Sequence, residues 1–182
     1  QMYYSLAGRE LEYEFMPMCE YTGVGILVWS PLAGGFLSGK YPRDKTAPAG
    51  TRFAEAGQFV MLEHGKAFDI VDKLKEVGAR HGVSAARVAL AWTMAQPAIS
   101  SVIIGARKLE HLDDNIKAAD LKLTDEDMAE LNAVSHPGNP YPQWMVNQLD
   151  VAEDPRPHIL YPERYADGGP WEDLRFRDEN KW

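Results

Sequence analysis

The chain has 182 residues, of which 45% are hydrophobic and 25% charged, and its formal net charge is −8. This composition permits a sizeable core and is typical of one soluble domain, so it excludes a disordered or collagen-like chain. The acidic balance argues against a nucleic-acid-binding surface, because phosphate contacts need clustered lysine and arginine. No apolar run approaches the roughly 20 residues of a membrane span, and a cytoplasmic location is the default expectation.

The only cysteine, Cys19, excludes an intrachain disulfide and any metal site built on paired cysteines. A single cysteine suits a reducing compartment, and Cys19 is expected to be a small apolar group on a helix. The sequence predicts no metal site.

The first elements alternate between strand and helix. The pattern predicts a short strand over residues 1–6 and a helix over residues 9–21, interrupted near Pro17 and ended by Gly23. An unbroken apolar run over residues 24–29 then predicts a parallel strand that is buried on both faces, since no polar alternation survives. A glycine-rich loop follows at the carboxyl end of this strand, which is where α/β folds bind ligands.

A long excursion through residues 42–57 predicts a lid or a surface loop. Apolar residues at helical spacing, including Val71, Leu74 and Val77, then predict a helix over residues 62–81. Ser84 is a good N-cap for a second helix, which reaches Pro97.

The last elements are a strand, a helix and a capped helix. Residues 101–104 predict a short buried strand, and residues 109–119 predict a helix with Leu112 and Ile116 facing a core. Thr124 begins a capping box with aspartate in the place of glutamate, and the helix that it starts runs to about residue 134.

Strands that alternate with helices indicate βαβ crossovers and a parallel sheet. Three strands cannot close a barrel and would leave apolar faces and edges uncovered, so the chain is expected to be a piece of a larger α/β structure. Residues 1–136 form this piece. Residues 137–182, rich in proline and aromatic residues, are expected to form an extended tail rather than a second domain.

Two of the strand ends carry groups that suit an anion. Amide groups near Leu32 and Gly34 could cradle phosphate oxygens, although a simple tight turn explains the loop equally well. Arg107 and Lys108 precede a helix, an arrangement that suits an anion but more commonly means a solvated charged turn. From its position in a buried strand, Trp29 is expected to belong to the core.

Four strings in this order resemble the C-terminal half of an aldo-keto reductase: QMYYSLAGRELE, GVGILVWSPLAGGFLSGKY, VALAWTMAQPAISSVIIGARKLEHLDDN and LTDEDMAEL. The wording is most similar to the branch with the potassium-channel β subunits and the bacterial general-stress reductases. The resemblance implies a (β/α)₈ TIM barrel that binds NADP(H) in an extended pose at its C-terminal face. The three strands would be the sixth, seventh and eighth of that barrel.

The resemblance also implies roles for single residues. Gln1 matches the residue that holds the nicotinamide carboxamide, and Trp29 matches the aromatic residue that stacks on the nicotinamide, contrary to the expectation from its strand position. Arg52 resembles an arginine that clasps the pyrophosphate from the lid. The loop over the pyrophosphate is matched by Ser30, Pro31, Leu32, Gly34 and Lys40.

The adenosine end of the cofactor is matched by the segment after the third strand. Gly105, Arg107 and His111 correspond to positions around the 2′-phosphate, and Asp114 and Asn115 to the pair that meets the adenine. His111 stands where the family usually has Gln or Arg, and Asp114 replaces the usual Glu. Because a neutral imidazole is a weak phosphate partner, Arg107 or the lysine after it would supply most of the preference for NADP(H).

No residue matches the catalytic Asp, Tyr, Lys and His of the family, which precede the matched half. Tyr3, Tyr4, Lys40 and His111 have suitable side chains but correspond to other positions, so no catalytic residue is assigned. The sequence therefore predicts the cofactor-binding half of an enzyme that reduces an aldehyde or ketone. The alternative is a noncatalytic nucleotide-sensing or interaction module, and expected partners are an N-terminal half-barrel or a second copy.

Overall fold

The computed structural model describes residues 1–43, 47–57, 60–142 and 144–145. The chain divides into two compact units, residues 1–137 and residues 138–182. The extended tail predicted for residues 137–182 falls mostly outside the described residues and stays a prediction. No helix among the described residues is long and apolar enough to cross a membrane.

The first unit alternates strands with helices along the chain. Its strands are β1 (Met2–Tyr3), β2 (Ile26–Trp29) and β3 (Ile99–Val102). Its α-helices are α1 (Phe15–Thr22), α2 (Arg52–Ala56), α3 (His64–His81), α4 (Ala85–Met94), α5 (Leu109–Ile116) and α6 (Asp125–Ser135). Turns of 3₁₀-helix lie at Glu10–Glu12, Ala33–Ser38 and Lys117–Asp120.

The strands form one parallel sheet in the order β1-β2-β3, which confirms the predicted α/β architecture. Val28 lies beside Met2 on one side and Val102 on the other. The core of this unit is completed by large side chains of the helices that are fully buried, such as Leu74 in α3 and Trp92 in α4.

The sheet is buried on one face, so the prediction that β2 is covered on both faces is wrong. Ile26 and Val28 are 3% and 0% exposed, but Leu27 between them is 43% exposed. Ile26 and Val28 pack in the main core, whereas none of the described elements covers Leu27. An all-apolar strand sequence is compatible with a strand covered on both faces or on one face only, because it lacks the polar alternation that marks a solvent-exposed face.

Two further core predictions are also wrong. Leu112 and Ile116, expected to face a core, are 37% and 58% exposed on α5. Strand β3 begins two residues earlier than predicted, and its Ser100 and Ser101 are exposed at the edge of the sheet. The helical and strand periodicities identified the elements, but whether an apolar face is covered depends on a neighbouring layer.

Pro17 lies inside α1 instead of interrupting the helix as predicted. It is the third residue of α1, where the backbone amide has no intrahelical acceptor, so proline removes no hydrogen bond. The interruption falls between the 3₁₀ turn Glu10–Glu12 and Phe15. Cys19 is buried in α1, in agreement with its expected role as a small apolar group.

The predicted helix boundaries around Ser84 and Thr124 are confirmed. Helix α3 ends at His81, where Gly82 adopts the left-handed conformation with φ 66°. The Ser84 hydroxyl accepts a hydrogen bond from the Arg87 amide and caps α4. The capping box of α6 is complete, because Thr124 and Asp127 each accept a bond from the other's backbone amide.

A buried arginine joins the start of the unit to α6. The Arg9 guanidinium pairs with the Glu12 carboxylate at 2.7 Å and donates to the Ser135 hydroxyl at 2.7 Å. It also lies 5.1 Å from the centre of the Trp92 ring. The Tyr4 hydroxyl donates to the same carboxylate, and burial followed by this acidic partner raises the pKa of Tyr4. Each buried polar group of this cluster therefore has a partner, as interior packing requires.

Asp127 links α6 to the end of α3. Its carboxylate, 3% exposed, contacts the Arg80 guanidinium at 2.9 Å and the His81 imidazole at 2.6 Å. Burial alone would raise the pKa of Asp127, but hydrogen bonds from Thr124 and His81 outweigh it and hold this pKa below the ordinary value.

We expect Asp127→Asn to lower the free energy of unfolding by about 1.5–3 kcal/mol, because Arg80, His81 and the Thr124 amide lose a buried charged acceptor. Urea denaturation measures the loss. Since folding lowers the pKa of Asp127 below its ordinary value of 3.8, the stabilisation is present above about pH 4 and is lost as the pH falls through the folded pKa. The difference between wild type and variant should therefore shrink in acid.

The matched control is Asp125→Asn, which changes an exposed carboxylate in the first turn of the same helix. Its effect should stay within about 0.5 kcal/mol. Equal losses in the two variants would contradict a special role for Asp127.

Candidate functional site

Three segments of the chain converge beyond the carboxyl ends of β2 and β3. The first is the turn that follows β2, in which Ser30, Ala33 and Gly34 all have positive φ angles of 54°, 48° and 68°. The second is α2, and the third is the loop between β3 and α5, which contains Arg107.

An aromatic cluster holds α2 against the turn. The Phe53 ring lies 4.7 Å from the Tyr41 ring and 6.1 Å from the Phe36 ring, centre to centre. The approach is so close that a Cβ atom on Gly34 would lie 2.7 Å from Cε1 of Phe53. Glycine at position 34 therefore serves both the left-handed backbone and the contact with α2.

Arg107 connects the third segment to the second. Its Nη1 donates to the Glu55 carboxylate of α2 at 2.7 Å, and its Nη2 donates to the carbonyl oxygen of Gly50. The side chains of Arg107 and Glu55 are both more than half exposed. The structure thus joins Arg107 to the segment of residues 47–57, called the lid segment below, and the Phe53 contacts join that segment to the turn after β2.

The predicted nicotinamide residues lie on the open face of the sheet. Tyr3 pairs with Trp29 across the β1–β2 register, and their ring centres are 5.1 Å apart. Strand alternation places Gln1 on the same face as Tyr3, and Gln1 is exposed. Trp29 is partly exposed, so it offers an aromatic surface where a wholly buried core residue would offer none.

Two backbone amides of the turn after β2 are engaged within the turn, and one lysine lies beside it. The Ala33 and Gly35 amides donate to the carbonyls of Ser30 and Leu32, so these two amides are engaged within the turn. Pro31 is buried, and Leu32 is partly buried and packs against the core. Beside the turn, the exposed Lys40 has its Nζ 5.4 Å from the centre of the Tyr41 ring.

The other residues predicted to contact the cofactor lie in α2, in the loop after β3 and in α5. Arg52 is the first residue of α2 and is exposed, as are Gly105 and His111. His111 lies 3.9 Å from the Glu110 carboxylate.

Asp114 and Asn115 point to different surroundings. Asp114 accepts hydrogen bonds from Ser84 and from Arg87 of α4, with Arg87 Nε at 3.0 Å. Burial opposes its ionisation, but these two partners hold the pKa of Asp114 below its ordinary value. Asn115 is 8% exposed. Asp114 is therefore ionised and oriented by α4, and Asn115 is largely shielded from solvent.

Sequence reasoning did not identify Phe53 and Glu55, although both shape the site. The excursion through residues 42–57 was expected to be irregular, and α2 within it has five residues. Its one local signal was Thr51 at an N-cap position before Arg52. The contacts from Phe53 to Gly34 and from Glu55 to Arg107 join residues far apart in sequence, which a single sequence does not reveal.

The comparisons with known proteins agree on one family. The model described as "Aldo/keto reductase family" matches residues 1–136. The uncharacterized oxidoreductase YrpG of Bacillus subtilis is 38% identical over 141 residues, which cover 77% of this chain and 41% of YrpG. A probable voltage-gated potassium channel subunit beta of Oryza sativa is 38% identical over 137 residues, covering 72% of this chain and 42% of the relative. Protein tas of Escherichia coli is 33% identical over 131 residues.

A solved structure gives the same result for the fold. The thermostable aldo-keto reductase Tm1743, in complex with the inhibitor epalrestat, is 24% identical, with a TM-score of 0.50. The match covers 72% of this chain and 37% of that protein. The chain thus spans about two fifths of the length of the curated relatives that it matches.

We expect Gly34→Ala to lower the free energy of unfolding by at least about 1–2 kcal/mol, the cost of a left-handed backbone for a residue with Cβ. The new Cβ would also displace the Phe53 ring. Urea denaturation followed by tryptophan fluorescence measures the change.

Gly65→Ala is the control, since Gly65 lies in α3 with no atom within 4 Å of a Cβ built there. It should leave the stability unchanged or raise it by up to about 1 kcal/mol. A Gly34→Ala variant as stable as the wild type would contradict the described turn.

Proposed function

The chain belongs to the aldo/keto reductase family, and from this premise we propose that it forms the NADP(H)-binding part of an oxidoreductase that reduces aldehydes or ketones. The observation that carries the proposal is the convergence of Trp29, the glycine-containing turn and Arg107 at one end of a parallel sheet. In α/β folds this is the edge where ligands bind.

The residues present fit such a cofactor at both of its ends. An aromatic surface made by Tyr3 and Trp29 suits a flat nicotinamide ring, with Gln1 beside it for the carboxamide. Lys40 and Arg52, near the turn after β2, suit the pyrophosphate, and Arg107 suits the 2′-phosphate because a guanidinium binds phosphate through two parallel bonds. When bound, the cofactor would supply the hydride for carbonyl reduction.

The three strands would be the sixth, seventh and eighth of the family's barrel. The open face of the sheet supports this assignment, since Leu27 and Ile103 are 43% and 44% exposed there and are apolar. We propose that residues outside this sequence complete the barrel and supply the Asp, Tyr, Lys and His that protonate the carbonyl oxygen. These residues would come from an N-terminal half-barrel.

A second candidate is a noncatalytic nucleotide-sensing or interaction module; the name of one relative, a probable voltage-gated potassium channel subunit beta, makes an interaction role worth testing. It is favoured by the apolar surface beside β3, where a groove of about 410 Å³ is lined by residues that include Met94, Val102 and Ile116. A second copy of the chain could cover this surface, as exposed strand edges invite pairing. The two candidates differ in whether carbonyl reduction follows nucleotide binding.

We expect Arg107→Ala to weaken NADPH binding about tenfold or more, because two charge-assisted hydrogen bonds to the 2′-phosphate are lost. Binding of NADH, which lacks this phosphate, should change less than about twofold. Fluorescence titration of both nucleotides measures the two affinities.

Lys122→Ala, which removes an exposed cation between α5 and α6, is the control for net charge. Equal losses for NADPH and NADH would mean that the 2′-phosphate binds elsewhere.

We expect the 182-residue chain to oxidise no NADPH in the presence of a simple aromatic aldehyde, even where it binds NADPH. The reason is that hydride transfer needs a proton donor at the carbonyl oxygen, and no catalytic residue is assigned to this sequence. A spectrophotometric assay tests this, with a complete member of the family as positive control. Turnover above the background rate would contradict the assignment of the catalytic residues to another part of the barrel.

A further inference from the structure

Arg107 is engaged by an acidic neighbour in the structure. Glu55 accepts from Nη1 at 2.7 Å, and Gly50 accepts from Nη2 through its carbonyl oxygen. The guanidinium that suits the 2′-phosphate therefore already binds a carboxylate.

The position of Glu55 is set by packing. Two residues before it on α2, Phe53 stacks on Tyr41, and the Phe53 amide donates to the Tyr41 hydroxyl at 3.4 Å. These contacts hold α2 beside the turn after β2, and they fix the side from which Glu55 reaches Arg107. The ion pair therefore follows from the fold of the lid segment.

The ion pair is also easy to exchange. The side chains of Arg107 and Glu55 are 62% and 52% exposed, and ion pairs at this exposure contribute little free energy. A phosphate monoester carries nearly two negative charges and three acceptor oxygens, so it binds the same guanidinium more strongly than one carboxylate does.

We propose that Glu55 is a specificity-determining residue, which competes with the 2′-phosphate of NADP(H) for the Arg107 guanidinium. The proposal rests on the proposed function, because it assumes that the dinucleotide occupies this site. NADP(H) must displace the Glu55 carboxylate to reach Arg107. NAD(H) has no phosphate at this position, so it leaves the ion pair in place. Glu55 therefore lowers the affinity for NADP(H) and leaves the affinity for NAD(H) unchanged, which reduces the preference for NADP(H).

The test is Glu55→Gln, which keeps the size of the side chain and removes its charge. We expect NADPH to bind about threefold more tightly, the scale on which an exposed ion pair affects an equilibrium. The affinity for NADH should stay within about 1.5-fold of the wild type. Fluorescence titrations at low ionic strength measure both, and the NADPH effect should shrink as salt screens the charges.

Two further variants separate competition from other causes. Asp113→Asn removes another carboxylate that is more than half exposed and pairs with a cation, Lys117, and it should leave the ratio of the two affinities unchanged. In an Arg107→Ala background, Glu55→Gln should no longer change NADPH binding, because the guanidinium for which Glu55 and the 2′-phosphate compete is absent.

The outcomes distinguish this proposal from the proposed function. If the wild-type chain binds neither nucleotide, the proposed function fails and the competition fails with it. If both nucleotides bind and Glu55→Gln changes them equally, weakens NADPH or has no effect, the proposed function stands and the role of Glu55 is overturned.

Discussion

The one-sided packing of helices on a three-stranded parallel sheet is the constraint on which the rest of the described structure depends. Val28 of the central strand and Trp92 of α4 are both fully buried in one core, and the three strands pair around Val28 in a parallel register. Because the strands are parallel, their carboxyl ends lie at one edge, and the turn after β2 and the loop after β3 are thereby brought together. Loops of unrelated sequence become neighbours for this reason.

The same packing leaves the opposite face of the sheet open, and the residues that we propose for the cofactor lie on that face or at its edge. Tyr3 and Trp29 present aromatic surface there, and Arg107 and Lys40 present cations beyond the strand ends. An apolar sheet face is costly to leave in water at about 25 cal/mol per Å². A second layer, whether from the rest of the proposed barrel or from another copy, would therefore bind here favourably.

The lid segment shows how a charged site can be both organised and restrained. Aromatic contacts of the partly buried Phe53 hold α2 near the turn. The ion pair from Glu55 to Arg107 is exposed and weak, and we propose that a stronger anion replaces it. The packing of Phe53 thus positions Glu55 beside Arg107, and we propose that their ion pair is the contact that a bound anion changes.

The sequence by itself determined the order of the three strands and of the longer helices, since helical periodicity, the caps at Ser84 and Thr124 and the apolar strand runs are local properties, but it did not reveal α2. The four matched strings also indicated the family, which the family model over residues 1–136 confirms. Only the tertiary structure decided which apolar faces are covered, as the exposure of Leu27 and Ile116 demonstrates, and which acid meets Arg107. Burial and ion pairing join segments distant in the chain, so their outcome depends on the packed layers and cannot be read from local spacing.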